Sequence, residues 1–147
     1  MKLKRGGSIR KTHAKSYVMD TSAILTLWND EEGADIVEKV LRDAFSCNNV
    51  YLSFMTFMEC RYHLLRNKGR EISDEFYRDM ESLPIKRIDV TEPILEKASE
   101  IKAANRLSVA DSWIIATAFV NQSILIHKNP EFEQVKKIVR LLALPYK

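Results

Sequence analysis

Three carboxylates stand where a charge is costly: Asp20, Glu59 and Asp111. Asp20 directly follows the apolar run Tyr17-Val18-Met19. That places it at the carboxyl end of a strand, the edge at which open α/β sheets bind ligands. Its competing role is a helix N-cap, since Asp-Thr-Ser precedes a helical stretch and all three residue types cap well. On a helix, Asp111 shares a face with Leu107, Ile114, Ile115 and Ala118. A carboxylate in such a stripe costs several kcal/mol to desolvate unless something pairs with it. Ser108 and Asp111 also stand in the S-x-x-D relation of a capping box. Glu59 falls beside Met55 and Tyr62 on its helix, with Met58 flanking it, and could instead pair with Arg66 or His63. Three such carboxylates from three segments suit a hard divalent cation held by oxygen ligands and water. An acidic cleft repels a phosphodiester unless a metal neutralises it, so metal and nucleic acid belong together in this reading.

Short apolar runs alternate with longer helical patterns from Tyr17 onward, the signature of βαβ units around a parallel sheet. Strands are expected at 17–19, 50–52, 85–90 and 124–126, with a fifth within 138–144. Helices are expected at 22–28, 33–46, from Thr56 to Asn67, 71–82, 92–105 and from Ser108 to Asn121. In the second of these, Ile36, Val37, Val40, Leu41 and Ala44 recur at helical spacing. Thr56, Ser73 or Asp74, Thr91 and Ser108 are the expected caps.

Four segments in this order carry a family resemblance: YVMDTSAIL at 17–25, VYLSFMTFMECRYHLL at 50–65, LSVADSWIIATA at 107–118 and ILIHKNPEFEQV at 124–135. Together they resemble the PIN-domain ribonucleases, especially the small stand-alone VapC-type toxins. The resemblance covers nearly everything after residue 16. It implies a three-layer α/β/α Rossmann-like sandwich with a central parallel sheet of four to five strands. It also implies an endoribonuclease that hydrolyses RNA phosphodiester bonds with Mg²⁺ or Mn²⁺ as cofactor. By position, Asp20, Glu59 and Asp111 match the family's first three acidic residues, which would hold the metal directly or through water. Ser22 matches the hydroxyl that supports the first carboxylate.

The family's fourth acid normally stands where this chain has Asn129. An amide keeps a carbonyl oxygen but adds no negative charge, so a second cation would be held more weakly. A silent PIN-like module that binds RNA or protein is the alternative this departure favours. Glu131 and Glu133 lie close by in sequence without a stated route to the cleft. His13, His63 and His127 are read as structural or exposed. Lys128, Arg61 and Arg66 are candidates for contact with phosphate, a solvated basic face being the competing account. The resemblance further implies a homodimer and a small antitoxin partner. Leu25, Leu27 and Trp28 add to that expectation as large apolar side chains on an early helix that could exceed one core's needs.

The 147 residues, 46% apolar and 29% charged, fit a domain able to bury a core without staples. Two cysteines, Cys47 and Cys60, make neither a disulfide framework nor a CxxC zinc pair. Asp20, Asp30 and Asp111 interrupt the most apolar regions, so no stretch approaches the ~18 residues of a membrane span. The basic start has no apolar core of a secretory signal, and a cytoplasmic location is expected. Residues 1–16 hold six Lys or Arg and no acid, leaving 17 basic against 20 acidic side chains in 17–147. The division expected is therefore a basic, flexible arm over 1–16 and a PIN-like domain over 17–147, the arm being able to contact phosphates. A haloacid-dehalogenase-like phosphatase needs a DxD pair, and here Ser22 occupies the second position. Neither GxGxxG nor GxxxxGK[ST] occurs, which excludes the common nucleotide-binding loops.

Overall fold

The apolar runs become five short strands: β1 (Tyr17–Met19), β2 (Val50–Ser53), β3 (Lys86–Ile88), β4 (Ile124–His127) and β5 (Leu141–Ala143). The computed structural model describes residues 15–147, so nearly all of the expected basic arm lies outside the described residues. Of that arm, Ser16 joins the fold: its carbonyl accepts from Ile124 N–H at 2.9 Å and its hydroxyl lies 2.7 Å from that of Ser123.

All strand pairs are parallel, and their order is β3-β2-β1-β4-β5. The chain winds outward from β1 to β3, then returns to the other side of β1 for β4 and β5. This reversal opens a crevice at the carboxyl ends of β1 and β4, where ligands bind in such sheets. Among the described residues six helices cover the two faces: α1 (Thr21–Trp28), α2 (Ala34–Cys47), α3 (Phe54–Asn67), α4 (Arg70–Glu81), α5 (Glu92–Ala104) and α6 (Val109–Val120). A 3-10 turn over Pro130–Val135 follows β4.

Alternation along each strand divides the core. Met19, Leu52 and Ile126 face the α1–α4 layer, with Val37, Leu41, Phe57 and Phe76. Val18 and Leu125 face the α5–α6 layer, with Ile94, Ile114, Ile115 and Phe132. The expected α/β/α sandwich is thus present, with five strands. Leu25 and Leu27 pack against the first core, and Trp28 meets the Phe76 ring edge-on at 4.5 Å. Trp28 is itself partly exposed, at 36%, but the more exposed large apolar side chains lie elsewhere: Phe45 on α2 (74%), Val109 on α6 (59%) and Met58 on α3 (54%).

Several expected caps are corrected. α3 begins two residues before Thr56, because Ser53 accepts from Met55 N–H at 3.1 Å and caps it, while Thr56 is buried inside the first turn. α4 begins at Arg70 after Gly69, whose φ of 93° lets the chain reverse direction. Ser73 and Asp74 therefore lie within α4. There Ser73 donates to Arg61 O at 3.2 Å, and Asp74 pairs with the Arg61 guanidinium at 2.7 Å. Thr91 and Ser108 cap α5 and α6 as expected. β3 and β5 are shorter than expected, since Val90 and Ile138 are exposed and outside the ladders.

Candidate active site

β1 delivers Asp20 to the crevice and α1 starts at the next residue, so Asp20 is both strand end and N-cap. Its Oδ2 accepts from Ser22 N–H at 3.0 Å and from the Ser22 hydroxyl at 2.5 Å. Ser22 Oγ in turn accepts from Lys128 N–H at 2.9 Å, which fixes its own proton toward Asp20. One hydroxyl thereby ties the end of β1 to the end of β4.

The other oxygen, Asp20 Oδ1, is buried without a hydrogen-bond partner. An orphaned anionic oxygen is expensive, and the cost appears as a pKa pushed up to about 7. Burial is the main cause, and nearby Asp111 and Glu59 add to it against the opposing Ser22 hydrogen bonds. Asp111 is pushed up to about 6 by burial, with Glu59 and Glu131 adding and the Ser108 hydroxyl opposing. These couplings place Asp20, Glu59 and Asp111 within electrostatic reach of one another, with Glu131 beside Asp111. Cys60, also buried against Asp20 and Glu59, has its thiol pKa raised by the same low-dielectric surroundings.

Glu59 is held by Thr21, whose hydroxyl donates to Oε1 at 2.6 Å across 38 positions of sequence. The two alternative partners for Glu59 are engaged otherwise: Arg66 lies over the Tyr62 ring at 4.9 Å, and the His63 ring lies against Tyr62 at 4.7 Å. Asp111 occupies the third position of α6, its N–H donating to Ser108 Oγ at 3.0 Å, with the buried side chains of Leu107, Ile114, Ile115 and Ala118 as expected. It thus serves the cap and stands beside the other acids at once. Among the described residues, no three His, Cys, Asp or Glu side chains close on one point as a finished ligand set. A small hard ion needs only one or two carboxylates with water completing its shell, and the orphaned Asp20 oxygen is the donor such an ion would satisfy.

Asn129 follows β4 by two residues, and no hydrogen bond joins it to Asp20, Glu59 or Asp111 among the described residues. Its Oδ1 accepts from Glu131 N–H at 2.9 Å and caps the 3-10 turn. His127 is fully buried, stacked on Phe132 at 5.1 Å. Its Nδ1 accepts from Asn129 N–H at 3.1 Å, which puts the neutral ring's proton on Nε2, and burial holds its pKa below the usual value. The Lys128 ammonium is directed away from the carboxylates, to Glu31 Oε1 at 3.1 Å and Glu32 O at 3.0 Å, with its side chain 7% exposed. Arg61 is likewise engaged, with Asp74 and the Tyr77 ring. Sequence reasoning did not single out Thr21 or the Lys128 N–H. Thr21 is adjacent to Asp20, but its use depends on α1 and α3 being neighbours, which no local pattern states.

The sequence profile of the PIN domain family matches residues 17–138. Among solved structures, a chain of the DNA-bound VapBC complex of Salmonella typhimurium superposes with a TM-score of 0.70 at 18% identity, covering 88% of this chain and 98% of that one. A chain of VapBC2 from Rickettsia felis bound to a promoter DNA fragment gives 0.71 at 16% identity, with 88% and 98% covered. Mycobacterium tuberculosis VapC20, a Sarcin-Ricin loop cleaving toxin, gives 0.65 at 19% identity, with 82% and 95% covered. No curated protein matches the sequence.

Proposed function

This chain belongs to the PIN-domain family, and we propose that it is a divalent-metal-dependent endoribonuclease, the toxin of a toxin–antitoxin pair acting in the cytoplasm. The single observation that carries this reading is the buried, unpartnered Asp20 Oδ1 with two further carboxylates in electrostatic contact. Nothing in folding rewards such an arrangement, because each acid raises the cost of ionising the next. A Mg²⁺ or Mn²⁺ ion bound there supplies charge neutralisation and an activated water for phosphodiester hydrolysis. Asp20 would be the principal ligand, with Glu59 and Asp111 reached directly or through water. Ser22 holds Asp20 in place, and Lys128 N–H holds Ser22. No helix among the described residues is long and apolar enough to cross a membrane.

The likeness to VapBC and FitAB complexes supports a small antitoxin as partner. The exposed Phe45 and Met58 leave apolar surface for it or for a second copy of the chain. A second reading, a silent RNA- or protein-binding PIN module, draws on Asn129: its oxygen is spent on capping, and it brings no charge. The deciding experiment is RNA cleavage by the purified chain freed of any partner, with Mg²⁺ or Mn²⁺, against EDTA and against Asp20→Ala. Ion-dependent cleavage lost in Asp20→Ala supports the nuclease. RNA binding with no cleavage at any ion concentration supports the silent module.

A further inference from the structure

Hydroxyl groups occupy one oxygen of each of two carboxylates in the crevice. Ser22 claims Asp20 Oδ2 through two hydrogen bonds, and Thr21 claims Glu59 Oε1 at 2.6 Å. The remaining oxygens, Asp20 Oδ1 and Glu59 Oε2, have no hydrogen bond among the described residues, and Asp20 Oδ1 is buried as well. Thr21 is itself buried and is the first residue of α1, where its hydroxyl could have served its own helix end. Instead it reaches across to α3. A short hydrogen bond from a neutral hydroxyl to a carboxylate is among the stronger ones, so Oε1 is oriented toward Thr21 and turning both Glu59 oxygens to one cation costs that bond.

We infer that Thr21 is a positioning residue that confines Glu59 to one-oxygen ligation, so that the crevice selects a small octahedral ion such as Mg²⁺ or Mn²⁺ against Ca²⁺. This rests on the proposed metal-binding role of Asp20, Glu59 and Asp111. Ca²⁺ gathers six to eight oxygens and commonly takes carboxylates with both oxygens at once. Mg²⁺ keeps an octahedral shell with several waters and asks one oxygen from each of one or two carboxylates. A site in which two of the three carboxylates are each halved by a hydroxyl meets the second demand and disfavours the first. Methyl for hydroxyl at Thr21 releases Oε1 with little change of volume. Serine at the same position keeps the donor.

The test compares wild type, Thr21→Val and Thr21→Ser as full chains. Bound Mn²⁺ is read from the loss of the free-ion electron paramagnetic resonance signal, and Ca²⁺ is then titrated in as competitor. Wild type and Thr21→Ser should show the same Mn²⁺-to-Ca²⁺ preference. Thr21→Val should narrow it at least threefold, mainly by gaining affinity for Ca²⁺. Circular dichroism checks that the variants fold, and Thr21→Ala carries the same comparison should valine unfold the chain. A preference in the donor-less variant within a factor of two of wild type overturns the inference while leaving the metal site intact. Mn²⁺ binding with the expected selectivity but no RNA cleavage leaves the inference standing and removes the nuclease reading. Absence of Mn²⁺ binding in wild type removes both.

Discussion

Replacing Asp20 by Asn should make the metal-free protein more stable at alkaline pH, and the gain should shrink on acidification. The carboxyl has a pKa of about 7 in the fold against an ordinary 3.8. Folding therefore binds a proton more tightly than the unfolded chain does. Well below pH 3.8 both states are protonated and Asp20 carries no penalty; stability is lost as pH rises from there and the loss levels off once pH passes the folded value. Linkage with these values gives a penalty of ~4 kcal/mol at pH 8 and ~1.7 kcal/mol at pH 5, with no discount for exposure because Asp20 is 4% exposed. Asn caps as well as Asp and keeps an acceptor for Ser22, but its amide brings a fixed cost at both pH values. The difference between the two pH values cancels that fixed cost and should be ~2.5 kcal/mol. Urea unfolding of wild type and Asp20→Asn at pH 8 and pH 5, in EDTA, measures it. A pH-independent difference between the two proteins would show that the Asp20 charge is already compensated, and the case for a cation would fall with it. Adding 10-fold excess Mg²⁺ over its dissociation constant at pH 8 should then stabilise wild type by about 1.4 kcal/mol and leave Asp20→Asn unmoved.

Asn129→Asp keeps an acceptor for Glu131 N–H, so the turn should stay folded while Mn²⁺ affinity and RNA cleavage both rise; equal cleavage rates in the two proteins would mean that three acids suffice. Lys128→Met removes a buried ammonium from Glu31 and Glu32 and should cost ~2 kcal/mol in urea unfolding, since charge-assisted hydrogen bonds are lost and Glu31 keeps only the exposed Lys147 and a long hydrogen bond from Asn29 among the described residues. Ser53→Ala strips the cap from α3, the helix that carries Glu59, and should lower stability by about 1 kcal/mol, equivalent to a fall of roughly 2–4 °C in Tm.

The strands and the order of the acids were legible because strand alternation and the apolar stripe around Asp111 are local patterns. Asp20 at a strand end and Asp111 in a capping box could be read from neighbours within a few residues. The cap of α3 was misplaced because Ser53 belongs to β2 by apolar pattern and to α3 by hydrogen bonding, and a residue in both elements signals neither cleanly. Gly69 replaced Ser73 and Asp74 at the start of α4 because backbone freedom, rather than a side-chain acceptor, sets that boundary. The hydroxyl network was illegible for a different reason. The bonds from Thr21 to Glu59 and from Lys128 N–H to Ser22 span 38 and 106 positions, and only the placement of β1 between β2 and β4 brings them together. Lys128 and Arg61 illustrate the converse: a basic residue near the cleft in sequence can have its charge spent on a neighbouring acid.

The central position of β1 also has a consequence during biosynthesis. Among the described residues the strand made first, β1, is flanked on one side by β4, the fourth to be made, so one edge of β1 stays bare until residues 124–127 have left the ribosome. Until then Asp20 lacks the Lys128 N–H that fixes its supporting hydroxyl, and until α6 emerges it lacks Asp111 altogether. Such distant pairings form late and slowly. A nascent chain that has emerged only as far as α5 can therefore hold Asp20, Thr21 and Glu59 without possessing the crevice. Under the nuclease function proposed above, the strand order itself withholds the assembled crevice from RNA until residues 124–127 have emerged.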